Sequence, residues 1–129
     1  MTASPDLPAR VMSVPSLPRS VGELRRFAVS ASREQGFTGD ADALALLVSE
    51  VATNALLHGR GEVQLSVSRN DGRLRVEVAD GSDLLPVRRE ATALAEGGRG
   101  IALLEAMADE WGVSALRPRG KVVWFELSA

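Results

Sequence analysis

Val63-Gln64-Leu65-Ser66-Val67-Ser68-Arg69-Asn70-Asp71-Gly72-Arg73-Leu74-Arg75-Val76-Glu77-Val78 decides the fold class of this 129-residue chain. Apolar residues alternate with polar ones on both sides of Asn70-Asp71-Gly72, which makes a turn. Side chains alternate between the two faces of a strand, so one face of this hairpin is apolar while Gln64, Ser66, Arg75 and Glu77 line the other. Hairpin connections build antiparallel or mixed sheets, and a single apolar face calls for a layer of helices to cover it.

The flanking segments supply that layer. Leu17, Val21, Leu24, Ala28 and Ala31 follow helical periodicity up to Gly36, and Ser20 and Glu23 have capping-box spacing. Asp40 is placed to cap a second helix, whose apolar stripe is Leu44, Leu47, Val48, Val51 and Ala55. Leu46 and Leu57 fall on its opposite side, where a second layer or a partner must cover them. Before the helices, residues 1–14 form an arm in which Val11 to Val14 can make a short edge strand, limited by Pro15 and Pro18. After the hairpin, a polar, irregular stretch from Asp80 to Gly98 leads to a helix over about Gly100 to Ala108. Two strands, around Trp111 to Leu116 and Val122 to Leu127, then turn at Arg117-Pro118-Arg119-Gly120. The expected architecture is an α/β (α+β) two-layer sandwich, a mostly antiparallel sheet with helices on one face, with residues 15–129 forming one domain.

Composition narrows the function classes. Hydrophobic residues make up 45% and charged residues 25%, as in ordinary globular domains. A net charge of −2 gives no overall field to attract nucleic acid or an anionic membrane. Arg88-Arg89 reads as a solvated loop pair rather than a nucleic-acid patch. The chain has no cysteine and one histidine, which excludes disulfides and thiolate metal sites and leaves little for zinc. No apolar run approaches the ~20 residues that span a bilayer, and the first residues do not have the pattern of a secretory signal. A cytoplasmic location without membrane contact is the default expectation.

Three groups of residues are able to carry chemistry. Glu50 and Asn54 stand four apart, one above the other on the second helix. Taking about 3.6 residues per turn, Asn54 lies ~75° from the centre of the apolar stripe and Glu50 ~115°. The pair offers a base and a neutral oxygen ligand for a hard cation at the margin of the buried face. Asp80-Gly81 follows a buried strand: a carboxylate there can accept from an exocyclic amine and so separate adenine from guanine, although Asp-Gly is also a common turn. Gly97-Gly98-Arg99-Gly100 opens the third helix, where unpaired amides and the positive dipole end suit a phosphate and Arg99 adds a charged fork; the alternative is a flexible loop before an ordinary helix start. Neither the P-loop nor the dinucleotide glycine fingerprint is present. His58, beside Gly59, reads as a helix-ending residue in preference to a catalytic one. Trp111 and Trp124 read as core or interface residues.

In this order the elements resemble the GHKL (HATPase_c) ATP-binding superfamily, and within it the anti-sigma-factor serine kinase branch of the SpoIIAB/RsbW type. Glu50-x-x-x-Asn54 is similar to the family's N box, Asp80-Gly81 to the start of its first glycine box, Gly98-Arg99-Gly100 to its second, and Lys121-Val122-Val123-Trp124-Phe125-Glu126-Leu127 to its closing strand. The resemblance spans residues 17 to 127 and implies a Bergerat fold with ATP between helices and sheet. It implies Asn54 as the Mg²⁺ ligand, Glu50 as the group that orients or deprotonates the attacking serine hydroxyl, Asp80 with Gly81 at the adenine amine, and Gly98, Arg99 and Gly100 at phosphate. It further implies a homodimer that sequesters a sigma factor and phosphorylates an anti-sigma antagonist protein. The first box departs from the family's Asp-x-Gly-x-Gly, because Ser82 and Leu84 hold the glycine positions, and Asp83 to Glu96 is short for a lid. Two functions are therefore carried forward: an ATP- and Mg²⁺-dependent serine/threonine protein kinase acting in transcription regulation, and a non-catalytic partner-binding regulator of the same fold.

Overall fold

The computed structural model describes residues 8–58, 61–81, 100–116 and 120–128. Their chain order is β1 (Arg10–Pro15), α1 (Ser20–Glu34), α2 (Ala41–His58), β2 (Glu62–Asn70), β3 (Arg73–Asp80), α3 (Gly100–Met107), β4 (Glu110–Ala115) and β5 (Lys121–Ser128). The expected hairpin is β2–β3, with Ser66 opposite Glu77 and Val67 opposite Val76. Asp71 and Gly72 turn with φ of 54° and 79°, the left-handed pair that a two-residue hairpin needs to match strand twist.

The five strands lie in the order β1-β2-β3-β5-β4, and every neighbouring pair is antiparallel. Alternation divides the sheet into two chemically different faces. Val63, Leu65 and Val67 of β2, Leu74, Val76 and Val78 of β3, and Val123, Phe125 and Leu127 of β5 are buried under the helices. Helix α1 packs on β2 and α2, and α2 packs on β3 and α3. This is the α+β sandwich expected, with the helices gathered on the apolar face.

Helix starts divide into one that follows the sequence signal and one that does not. Asp40 caps α2 as its position predicts: Oδ1 accepts from the backbone N–H groups of Asp42 at 2.9 Å and Ala43 at 3.1 Å. The capping box expected at Ser20 and Glu23 does not form. Ser20 is already the first helical residue, and Arg19 before it makes no side-chain cap. The Ser20 hydroxyl instead donates to the Pro15 carbonyl at 2.7 Å, which ties the end of β1 to the start of α1. The Ser20 backbone N–H, which Glu23 would have capped, donates instead to the Leu17 carbonyl at 2.8 Å. At the other end, the β1–α1 pair is held by an Arg10–Glu34 ion pair.

The helix-free face carries its own cluster. Glu126 is 3% exposed although no helix covers it. It accepts from Asn70 Nδ2 at 2.7 Å and Arg75 Nη1 at 2.8 Å, and Arg75 stacks 4.1 Å from the centre of the Trp124 ring. Gly112 is required beneath that ring, because a Cβ there would lie 2.8 Å from the indole. Burial pushes the Glu126 carboxyl up, but hydrogen bonds from Asn70 and Arg75 and the Arg75 charge outweigh it, and the group is held below the ordinary carboxylate value. Its contribution to stability is thus complete above the ordinary carboxylate range and is lost as pH falls through the lowered folded value. Urea unfolding from about pH 7 to about pH 3 is expected to show wild type losing this increment, and Glu126→Gln starting about 2 kcal/mol less stable with a shallower acid decline. Parallel pH curves for the two proteins would contradict this assignment.

Candidate functional site

The site is built where β3 ends and β5 begins. Asp80 follows Leu74, Val76 and Val78 by alternation, so its side chain stands on the helix face and is 1% exposed. Register places Lys121 directly opposite. The Lys121 ammonium lies 3.2 Å from Oδ1 and 3.0 Å from Oδ2 of Asp80, and the Lys121 side chain is 5% exposed. Two opposite charges are thus paired out of water, an arrangement that stands only while both partners are present.

Gly120 allows the pair to form. Its φ is +107°, and a Cβ on it would sit 2.6 Å from the Asp80 carbonyl oxygen. No other residue fits both the left-handed backbone and the close approach to β3. Gly120 also accepts at its carbonyl from the Leu116 N–H at 2.9 Å, which closes the β4–β5 hairpin.

Helix α2 carries Glu50 and Asn54. β2 starts beside the end of β3, with Gln64 opposite Ala79. Helix α2 precedes β2 in the chain and packs on β3. Leu47, Val48, Val51, Ala52 and Ala55 of α2 are buried, while Glu50 and Asn54 are half-buried. Both sit at the margin of the packed face, as the helical wheel predicts. Arg25 of α1 donates to the Ser49 hydroxyl at 3.0 Å, holding the turn of α2 next to Glu50.

Of the remaining site residues, Gly81 follows Asp80 in a bend and is half-buried. Gly100 is the first described residue of α3. The other end of α3 lies near the start of β4, where Glu110 faces Glu126. Gly98 and Arg99 lie outside the described residues, as do Ser82 and Leu84. His58 ends α2. Sequence reasoning places Lys121 in the closing strand and gives it no role; its one signal is that it is the chain's only lysine, following a glycine at a strand start.

The five-stranded antiparallel sheet with its helices on one face is an α+β sandwich of the GHKL type. The model of the histidine kinase-like ATPase domain matches residues 14–127, and the chain belongs to that family. Among curated relatives, it is 34% identical to the serine-protein kinase RsbW of Bacillus subtilis (strain 168), over 77% of this chain and 73% of that protein. It is 33% identical to the serine-protein kinase RsbW of Bacillus velezensis and 32% identical to that of Bacillus licheniformis, with the same coverage.

Gly120→Ala tests the local geometry. Its Cβ would meet the Asp80 carbonyl in a backbone conformation that alanine resists, so urea unfolding is expected to show a loss of about 2 kcal/mol or more. A change below about half a kcal/mol would mean that the β3 end moves freely.

Proposed function

We propose that this protein is an ATP- and Mg²⁺-dependent serine/threonine protein kinase that acts as an anti-sigma regulatory factor in the cytoplasm. The observation that carries the reading is that Asp80 is buried at the end of β3 and that α2, which packs on β3, has Glu50 and Asn54 at its half-buried margin. The similarity to serine-protein kinases over most of the chain supports it.

The residues fit the ligand. Asn54 offers one neutral oxygen, which suits a magnesium ion that takes its other ligands from phosphate and water. Asp80 is a buried oxygen acceptor paired with Lys121, of the type suited to a base amine. Gly100 lies at the described start of α3, and the amides of a helix start suit phosphate. Bound MgATP supplies the phosphoryl group and the metal charge that stabilises its oxygens during transfer. Glu50 takes the proton of the substrate serine as its hydroxyl oxygen bonds to phosphorus and the bond to the ADP oxygen breaks. Asn54 keeps the metal in place, and Asp80 keeps the base in register.

The protein substrate in this reading is an anti-sigma antagonist, and the sequestered partner is a sigma factor. The protein acts as a homodimer; Leu46 and Leu57 of α2, 40% and 66% exposed, are apolar surface available to such contacts. The second reading, a non-catalytic regulator of the same fold, is favoured by Ser82 and Leu84 in place of box glycines.

Transfer from γ-labelled ATP to candidate antagonists separates the two. Glu50→Ala is expected to lower transfer by about 100-fold or more, the usual contribution of a general base, while ATP affinity stays within about threefold. Asn54→Ala is expected to remove the magnesium dependence of binding in calorimetry. ATP binding with no transfer to any antagonist would favour the non-catalytic regulator, and undiminished transfer by Glu50→Ala would overturn the role of Glu50.

A further inference from the structure

The end of the sheet away from Asp80 holds a cleft of its own. β3 runs extended from Leu74 to Asp80, about 20 Å, so the two places are separate. The cleft, of about 180 Å³, lies where the end of α1 meets the β2–β3 turn and is lined by Gln35, Gly36, Phe37, Arg69, Gly72 and Leu74. Gln35 is 2% exposed. Its Nε2 donates to the Pro8 carbonyl at 3.0 Å, and a carbonyl only accepts, which fixes the orientation of the side-chain amide. Oε1 is buried, and among the described residues no group donates to it. Buried side-chain oxygens ordinarily have a donor, so this one calls for a donor from a ligand or from solvent. Arg69 lines the same cleft from an exposed position and makes no ion pair among the described residues. Gly36, next to Gln35, lets the guanidinium approach: its φ is +85°, and a Cβ on it would lie 3.1 Å from Arg69 Nη1.

We propose that this cleft docks the carboxy-terminal residue of a partner polypeptide, whose backbone N–H donates to Gln35 Oε1 while its carboxylate pairs with Arg69. The inference stands apart from the nucleotide reading and uses none of its residues. The two groups of the cleft ask for opposite things: a buried oxygen needs a donor, and an unpaired guanidinium needs an anion. A terminal residue carries both, one on either side of a single Cα. A carboxylate alone would leave Oε1 unmet, and an ammonium donor would face the Arg69 charge. Size argues for a chain end over a passing segment. Ligand pockets run upward from about 300 Å³, and this cleft is smaller, with room for one residue. Phe37 and Leu74 offer that residue an apolar wall, and Gly36 and Gly72 put no side chain in its way. Capture of a terminal carboxylate is a recurring mode of peptide recognition.

Amide chemical-shift titrations of the full chain with three small probes test this. N-acetylglycine carries the N–H and a terminal carboxylate. N-acetylsarcosine carries the same charge with the N–H methylated, and acetyl-aspartyl amide carries its carboxylate on a side chain. N-acetylglycine is expected to give saturable shifts at the Gln35 side-chain amide, Gly36 and Gly72. It is expected to bind at least about fivefold more tightly than N-acetylsarcosine, the value of one neutral hydrogen bond. Arg69→Gln, at an exposed position, is expected to weaken N-acetylglycine by about threefold or more. Gln35→Met is expected to equalise the first two probes; the methylated probe makes the same comparison on wild type, so the test holds if that variant does not fold. Equal binding of N-acetylglycine and N-acetylsarcosine to wild type overturns the role of Gln35, and unchanged affinity in Arg69→Gln overturns the pairing with the carboxylate. Tighter binding of acetyl-aspartyl amide than of N-acetylglycine overturns the assignment to a chain end. The absence of saturable shifts in the cleft with any probe overturns the site and leaves Oε1 to an ordered water.

Discussion

The register of β3 against β5 is the constraint on which the rest of the molecule depends. It joins the β1–β2–β3 unit to the β4–β5 hairpin and makes one sheet of them. A slip of one residue would turn every side chain of β5 to the other face. Phe125 would leave the core, Glu126 would enter it, and Lys121 would lose Asp80. Apolar burial under α1 and α2 therefore selects the same register that assembles the charged pair. Core and site are specified by one alignment of two strands.

The same strand pair carries two buried carboxylates with different physical roles. Glu126 stands on the helix-free face, roofed by Arg75, Asn70 and the Trp124 ring. Its lone pairs are taken by donors within the sheet, which suits it to hold structure. Asp80 stands on the helix face at the sheet's end, paired with the Lys121 ammonium. The distinction lies in what surrounds each group, since the two are buried to a similar extent.

Much of the fold was legible because it rests on alternation and helical periodicity, which are local signals. The β2–β3 hairpin, its Asp71-Gly72 turn and the Asp40 cap follow from residue types alone. Glu50 and Asn54 were placed at the helix margin for the same reason. The Ser20–Glu23 cap failed because the helix already includes Ser20, whose backbone N–H is taken by the Leu17 carbonyl. Lys121 was illegible as a site residue because its partner is 41 residues away in sequence, and only strand register brings the two together. The Glu126 cluster was missed on the same ground: its charges are gathered from three strands.

Amide chemical-shift mapping of the whole protein during titration with MgATP tests the central claim most directly, because it locates a ligand without assuming any residue's role. The account predicts saturable shifts concentrated at Asn54, Asp80, Gly81, Gly100 and Lys121, where α2, α3, β3 and β5 contribute to one end of the sheet. Shifts confined to the helix-free face around Ser66, Glu77 and Trp124, or none at millimolar nucleotide, would contradict it.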